Sequence, residues 1–189
     1  MSHFFAGLAS LIVAVIFILL CCTLYFYSLA IKRNKKDFLR HSKDLAQTME
    51  TYKNKNSFQE ASEQGEQLPP FGGKEWIESM PCETWNIVSK DGLKLAGCFI
   101  PAKKSTGKTV IIAHGYSSKG RDNGSFARFY HEKLGFNVLM PDARGHGASE
   151  GNYIGFGWPE RLDYLLWIQK VIEQVGAHSR IVLHGISMG

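Results

Sequence analysis

Near the end of the chain, Gly185-Ile186-Ser187-Met188-Gly189 sets one hydroxyl between two glycines at a spacing suited to nucleophilic chemistry. Where a strand turns sharply into a helix, side chains two residues before and after the nucleophile would collide, so glycine is needed at both places. The strained serine then stands clear of the sheet. Attack on an acyl carbonyl also needs a base to take the hydroxyl proton and two N–H groups to hold the developing oxyanion. The Met188 amide, next to the nucleophile, is one candidate donor. The Tyr116 amide, in Ala113-His114-Gly115-Tyr116, is the other. Removing one such donor typically costs about 3 kcal/mol of transition-state stabilisation.

The histidines are weaker candidates for the base. His114 precedes the serine, whereas the base follows the nucleophile in this chain order. It reads as a structural residue of the oxyanion loop. In Pro141-Asp142-Ala143-Arg144-Gly145-His146-Gly147, Asp142 and His146 have the types of a triad acid and base. The reading adopted is a glycine-rich turn held by hydrogen bonds of Asp142 and Arg144. His184, on a core strand, reads as packed there, and His3, His41, His131 and His178 have no constellation around them.

Positioning these groups requires a sheet. Residues 83–89 and 93–100 flank Asp91-Gly92 and predict a hairpin. Residues 109–115, 136–143 and 180–186 are short apolar runs of the kind buried on both faces of a parallel sheet. Phe126, Phe129, Tyr130 and Leu134 keep helical spacing between the first two runs. The clearest helix covers 157–176, with Pro159 in its first turn and Gly176 closing it. Leu162, Leu165, Leu166, Ile172 and Val175 are its expected apolar face. An antiparallel hairpin followed by strand-helix-strand-helix-strand predicts an α/β fold with right-handed crossovers. Ligands in such sheets bind beyond the carboxyl ends of the strands, where all three motifs fall.

These motifs, over about residues 80–189, resemble the α/β-hydrolase fold family. Within it they look like the bacterial serine-hydrolase branch related to serine aminopeptidases and acyl-esterases. The matching stretches are His114-Gly115-Tyr116, 142–151, the helix from Gly157 and the elbow at Ser187. The resemblance implies acyl transfer from a small-molecule or peptide substrate to Ser187, then hydrolysis by water, with no metal or organic cofactor. It also implies an Asp or Glu and then a His, both C-terminal to the elbow. Serine at the elbow argues against the branch that attacks through aspartate. Because Ser187 lies two residues from the chain end, the expectation is an N-terminal portion of a longer hydrolase or a prematurely terminated gene product, inactive unaided, whose last strand is an apolar edge.

The front of the chain has another character. From Phe4 to Ile31 there are 28 uncharged residues, roughly 42 Å as a helix against a hydrocarbon core of roughly 30 Å. Tyr25 and Tyr27 fit an interfacial belt. The length of the run, with no Lys or Arg before it, argues for an uncleaved single-pass anchor in a lipid bilayer over a signal peptide, although Ser28-Leu29-Ala30 has small residues suited to cleavage. Lys32, Arg33, Lys35, Lys36, Arg40 and Lys43 face only Asp37, which accounts for the whole net charge of +5. The positive-inside rule then puts the C-terminal part in the cytoplasm. A nucleic-acid binder would carry such an excess on its folded domain, whereas here the chain outside residues 32–43 balances 16 basic against 16 acidic residues.

The domains are therefore an anchor with its basic flank (1–33), a polar stalk (34–75) partly helical around 36–52, and a hydrolase-like domain (76–189). Cys21 and Cys22 are adjacent and make poor disulfide partners. Cys82 and Cys98 are either small apolar residues or one bridge in an oxidising compartment. No Cys/His spacing resembles a zinc site. Three functional classes follow: a membrane-anchored serine hydrolase, a non-catalytic tethered binding protein of the same fold, and a structural membrane protein. Three ordered motifs speak against the last.

Overall fold

Two central strands carry continuous apolar runs because both faces of their sheet are covered. The computed structural model of the chain describes residues 2–33, 73–104 and 106–189. The helix expected over 36–52 and nearly all of the stalk lie outside the described residues. Helix α1 (Ser2–Ala30) comes first. A short helix α2 (Gly73–Ser79) follows, beginning inside the segment read as stalk. Strands β1 (Glu83–Val88) and β2 (Lys94–Ile100) form the expected hairpin, antiparallel, with Val88 opposite Lys94. After β3 (Lys108–Ala113), the chain winds through a 3₁₀ turn, helix α3 (Gly124–Arg128) and one π-helical turn (Phe129–Lys133). Then come β4 (Asn137–Pro141), α4 (Glu160–Val175) and β5 (Arg180–Gly185).

The sheet order is β1-β2-β4-β3-β5, with β3 parallel to both β4 and β5 and β2 antiparallel to β4. Alternate residues point to opposite faces. Val110, Ile112, Val138 and Met140 pack with Trp76, Ile77 and Ala127 on the α2–α3 side. Ile111, Leu139, Leu95 and Phe99 pack under Trp167 and Val171 of α4. The α2–α3 approach is close enough that a Cβ on Gly73 or Gly124 would run into the other helix's backbone.

Helix α4 turns only part of its expected face inward: Val175 packs on the core and Leu162 and Leu166 are half-buried, but Leu165 is 59% and Ile172 40% exposed, while Asp163, Trp167 and Val171 are buried. Asp163 is drawn in by Arg144, and that rotation faces Trp167 to the sheet. Strand β5 stands at a sheet edge, with Val182 and Leu183 exposed. Cys82 and Cys98, 5.5 Å apart at Cα, are paired as a disulfide beside the β1–β2 ladder, the second of the two readings left open.

Candidate active site

Strand β5 delivers the serine. The Ile186 amide extends the ladder by donating to the Ala113 carbonyl, and the chain then reverses as the Gly189 amide donates back to the Ile186 carbonyl. Inside that turn Ser187 has φ +57°, a left-handed conformation. For a residue with a Cβ this costs roughly 1–3 kcal/mol. The glycines have the reason expected of them: a Cβ on Gly185 would strike the Gly189 carbonyl, and one on Gly189 the Ala113 carbonyl. Ser187 is exposed, and its hydroxyl meets no protein hydrogen-bond partner among the described residues.

The loop after β3 passes directly beside it. A Cβ on Gly115 would lie 3.3 Å from the Ser187 Cβ and 3.2 Å from the Ile186 carbonyl oxygen, so this backbone tolerates only glycine comfortably. Tyr116 follows at once. Ser117 has φ +59° and Ser118 N–H donates to the Gly115 carbonyl, closing a second tight turn. The Tyr116 ring stacks on Phe156, and its hydroxyl donates to the Ala30 carbonyl at 2.7 Å.

The neighbouring histidines are committed elsewhere. His114 is 1% exposed; its Nε2 accepts the Ala143 amide, so Nδ1 carries the proton given to the Gly115 carbonyl. His146 donates from Nδ1 to the Arg144 carbonyl, leaving its buried Nε2 unpartnered. Burial holds its pKa below the ordinary histidine value. His184 lies between Phe126 and Tyr130 and shares a hydrogen bond with the Tyr130 hydroxyl. None of the three bonds Ser187.

Asp142 and Arg144 hold the turn between them. Asp142 accepts the Gly120 and Ala148 amides, each at 2.8 Å. Arg144 grips buried Asp163 with two hydrogen bonds and exposed Asp91 with two more. Those carboxylates raise the arginine's pKa, Asp163 contributing most. The Arg144 guanidinium, with help from the Ser89 hydroxyl, holds Asp91 down at about 2.

A cleft of about 380 Å³ opens beside the elbow, lined by His114, Gly157, Arg161, Tyr164, Met188 and Gly189 among others. Burial, reinforced by nearby Glu160 and Asp163, pushes the Tyr164 phenol above its ordinary pKa. Among the described residues no group of three or more His, Cys, Asp or Glu is placed to hold a metal ion.

Sequence reasoning missed the loop that rims this cleft. Glu160, 4% exposed, accepts the amides of Gly155 and Gly157 at 2.9 Å each. Between them Phe156 is held at φ +50°. The signal was available in Gly155-Phe156-Gly157 followed by Glu160, since two flanking glycines mark a backbone bent beyond the ordinary regions.

No protein-family model matches the chain. The uncharacterized protein YqkD of Bacillus subtilis is 30% identical over 115 residues, covering 61% of this chain and 37% of that protein. The uncharacterized protein YfhR of Escherichia coli K12 is 34% identical over 118 residues, 57% of this chain and 38% of that one. The chain thus spans less than two fifths of the length of either relative. Among solved structures, the Pyrococcus furiosus esterase Pf2001 superposes with a TM-score of 0.54 at 31% identity, covering 65% of this chain and 48% of the esterase. The chain carries part of an α/β-hydrolase fold preceded by an apolar helix.

Proposed function

We propose that the chain is the membrane-anchored front part of a serine hydrolase that transfers an acyl group to Ser187. The observation that supports this most is the left-handed, exposed Ser187 at the tip of its turn, with Gly115 packed against it. That backbone strain has a purpose only if the hydroxyl must project. Ser187 Oγ attacks the acyl carbonyl, the Met188 and Tyr116 amides receive the oxyanion, the alcohol or amine leaves, and water releases the acid. The likeness to the Pyrococcus esterase favours esters over amides. The general base and its acid, which the family resemblance puts C-terminal to the elbow, are not among the described residues.

Helix α1 serves as the anchor: within Phe4–Ala30 an 18-residue stretch reaches a mean hydropathy of 2.9, and none of that stretch is buried in protein. The basic flank favours the cytoplasmic side for the domain, while a closed Cys82–Cys98 bridge would favour an oxidising compartment.

The second reading is a tethered binding protein of the same fold that keeps the elbow but not the reaction. Fluorophosphonate labelling of membranes from cells expressing the gene at its own locus separates the two. Labelling that vanishes in Ser187→Ala supports catalysis. A folded, membrane-bound product that takes no label overturns it and leaves the binding protein.

A further inference from the structure

The last turn of α1 does not simply leave the domain behind; it is built into the rim of the cleft. Ile31–Arg33 runs antiparallel to Asn152–Ile154, with Arg33 N–H donating to the Asn152 carbonyl and Ile154 N–H to the Ile31 carbonyl. The Arg33 guanidinium donates to the carbonyls of Gly147, Ser149 and Gly151 at 2.8, 2.7 and 3.2 Å. Tyr27 meets the Tyr153 ring at 6.0 Å. The Tyr116 hydroxyl is bonded to the carbonyl of Ala30, the helix's last residue.

The chain that leaves this collar carries three exposed aromatics: Tyr153 (54%), Phe156 (55%) and Trp158 (73%). Their exposure is enforced. The buried Glu160 carboxylate clamps the amides either side of Phe156, and Arg161 lies over the Trp158 ring at 3.7 Å. Large aromatic side chains held out in solvent beside a spanning helix have the chemistry of an interfacial belt, apolar in body and polar at the edge.

Depth supports the same occupant. Tyr27 and Ala30 are three residues apart, about 4.5 Å along the axis. The headgroup layer is roughly 5–7 Å thick on each side of the hydrocarbon core. With Tyr27 at the hydrocarbon boundary, the loop bearing Tyr116 lies within the headgroups, and the cleft wall includes Gly157 of the aromatic loop beside Arg161 in the first turn of α4.

We propose that residues 153–158 form a second, interfacial contact with the bilayer, setting the mouth of the cleft beside the elbow against it, so that the substrate is a bilayer-borne acyl ester and not a freely soluble one. This rests on the anchored-hydrolase reading, and the test separates their failures. The anchored protein is reconstituted into phosphatidylcholine–phosphatidylglycerol vesicles with and without bromine on the acyl chains. Trp158 emission, taken as the difference from Trp158→Phe, is expected to be lost in the brominated vesicles. An unchanged difference signal overturns the contact, whether or not the protein is active. In the second arm, Trp158→Asp is expected to slow hydrolysis of a vesicle-embedded acyl ester about tenfold, because a carboxylate is disfavoured at the interface, while a short water-soluble ester is turned over as before. Equal slowing of both esters, or of neither, overturns the substrate assignment. Quenching in the brominated vesicles with no hydrolysis of either ester by the unsubstituted protein removes the hydrolase reading, and the substrate class with it, and leaves the contact standing.

Discussion

Arg144 bridges two carboxylates whose surroundings differ sharply, and the cost of removing each should differ with them. Its guanidinium holds Asp163 at 2.8 Å through both Nε and Nη2, and Asp91 at 2.8 and 3.1 Å through Nη1 and Nη2. The Asp163 side chain is 5% exposed, that of Asp91 56%. In Arg144→Met, buried Asp163 keeps a charge with no counter-ion, a loss of about 3–5 kcal/mol. Asp91→Asn removes a solvated pair and should cost no more than about 1 kcal/mol. Removing both ends of the buried pair, in Arg144→Met/Asp163→Leu, leaves nothing charged to desolvate and should recover most of the single-variant loss. Urea unfolding followed by tryptophan emission, on the detergent-solubilised chain, reads all three. The reasoning is refuted if Asp91→Asn destabilises as much as Arg144→Met, or if the double variant is no more stable than Arg144→Met alone. Acid gives an independent reading. Asp91 titrates lower folded than unfolded, so its contribution is complete above its ordinary value of 3.8 and fades as pH falls to about 2. Asp91→Asn should flatten stability in that window only.

Gly115→Ala puts a methyl 3.3 Å from the Ser187 Cβ, and a shift of a few tenths of an ångström at the nucleophile should slow fluorophosphonate labelling about tenfold with stability nearly unchanged. Labelling at the wild-type rate contradicts the close approach. Trp167→Ala should cost about 3–5 kcal/mol, because its side chain is 1% exposed between sheet and helix, while Leu165→Ala stays within about 0.5 kcal/mol. Equal losses in urea unfolding would return the leucine stripe to the core. Cys82 and Cys98 report the side of the membrane: with the domain in the cytoplasm, alkylation in intact growing cells should trap two thiols that close only on oxidation. A bridge already closed in those cells puts the domain on the opposite side.

The strands, their order along the chain, the α/β class and the elbow were legible in the sequence because each is written in neighbouring residues. Val110-Ile111-Ile112 reads as a strand covered on both faces, and Gly185-Ile186-Ser187-Met188-Gly189 reads as a turn that needs two missing side chains. The uncharged run from Phe4 to Ile31 declares its own environment. Other features depend on residues that meet only after folding. Asp163 turns α4 because Arg144, 19 positions earlier, waits beneath it. His146 and His114 are bonded to a carbonyl and an amide that no local pattern announces. Arg33 finds its three carbonyls across a separation of 114 to 118 residues, closing the end of helix α1 onto the loop after β4. Period and turn chemistry are local properties of a chain, whereas the partner of a charge or a ring is set by the packing of the whole sheet, and only the tertiary structure decides it.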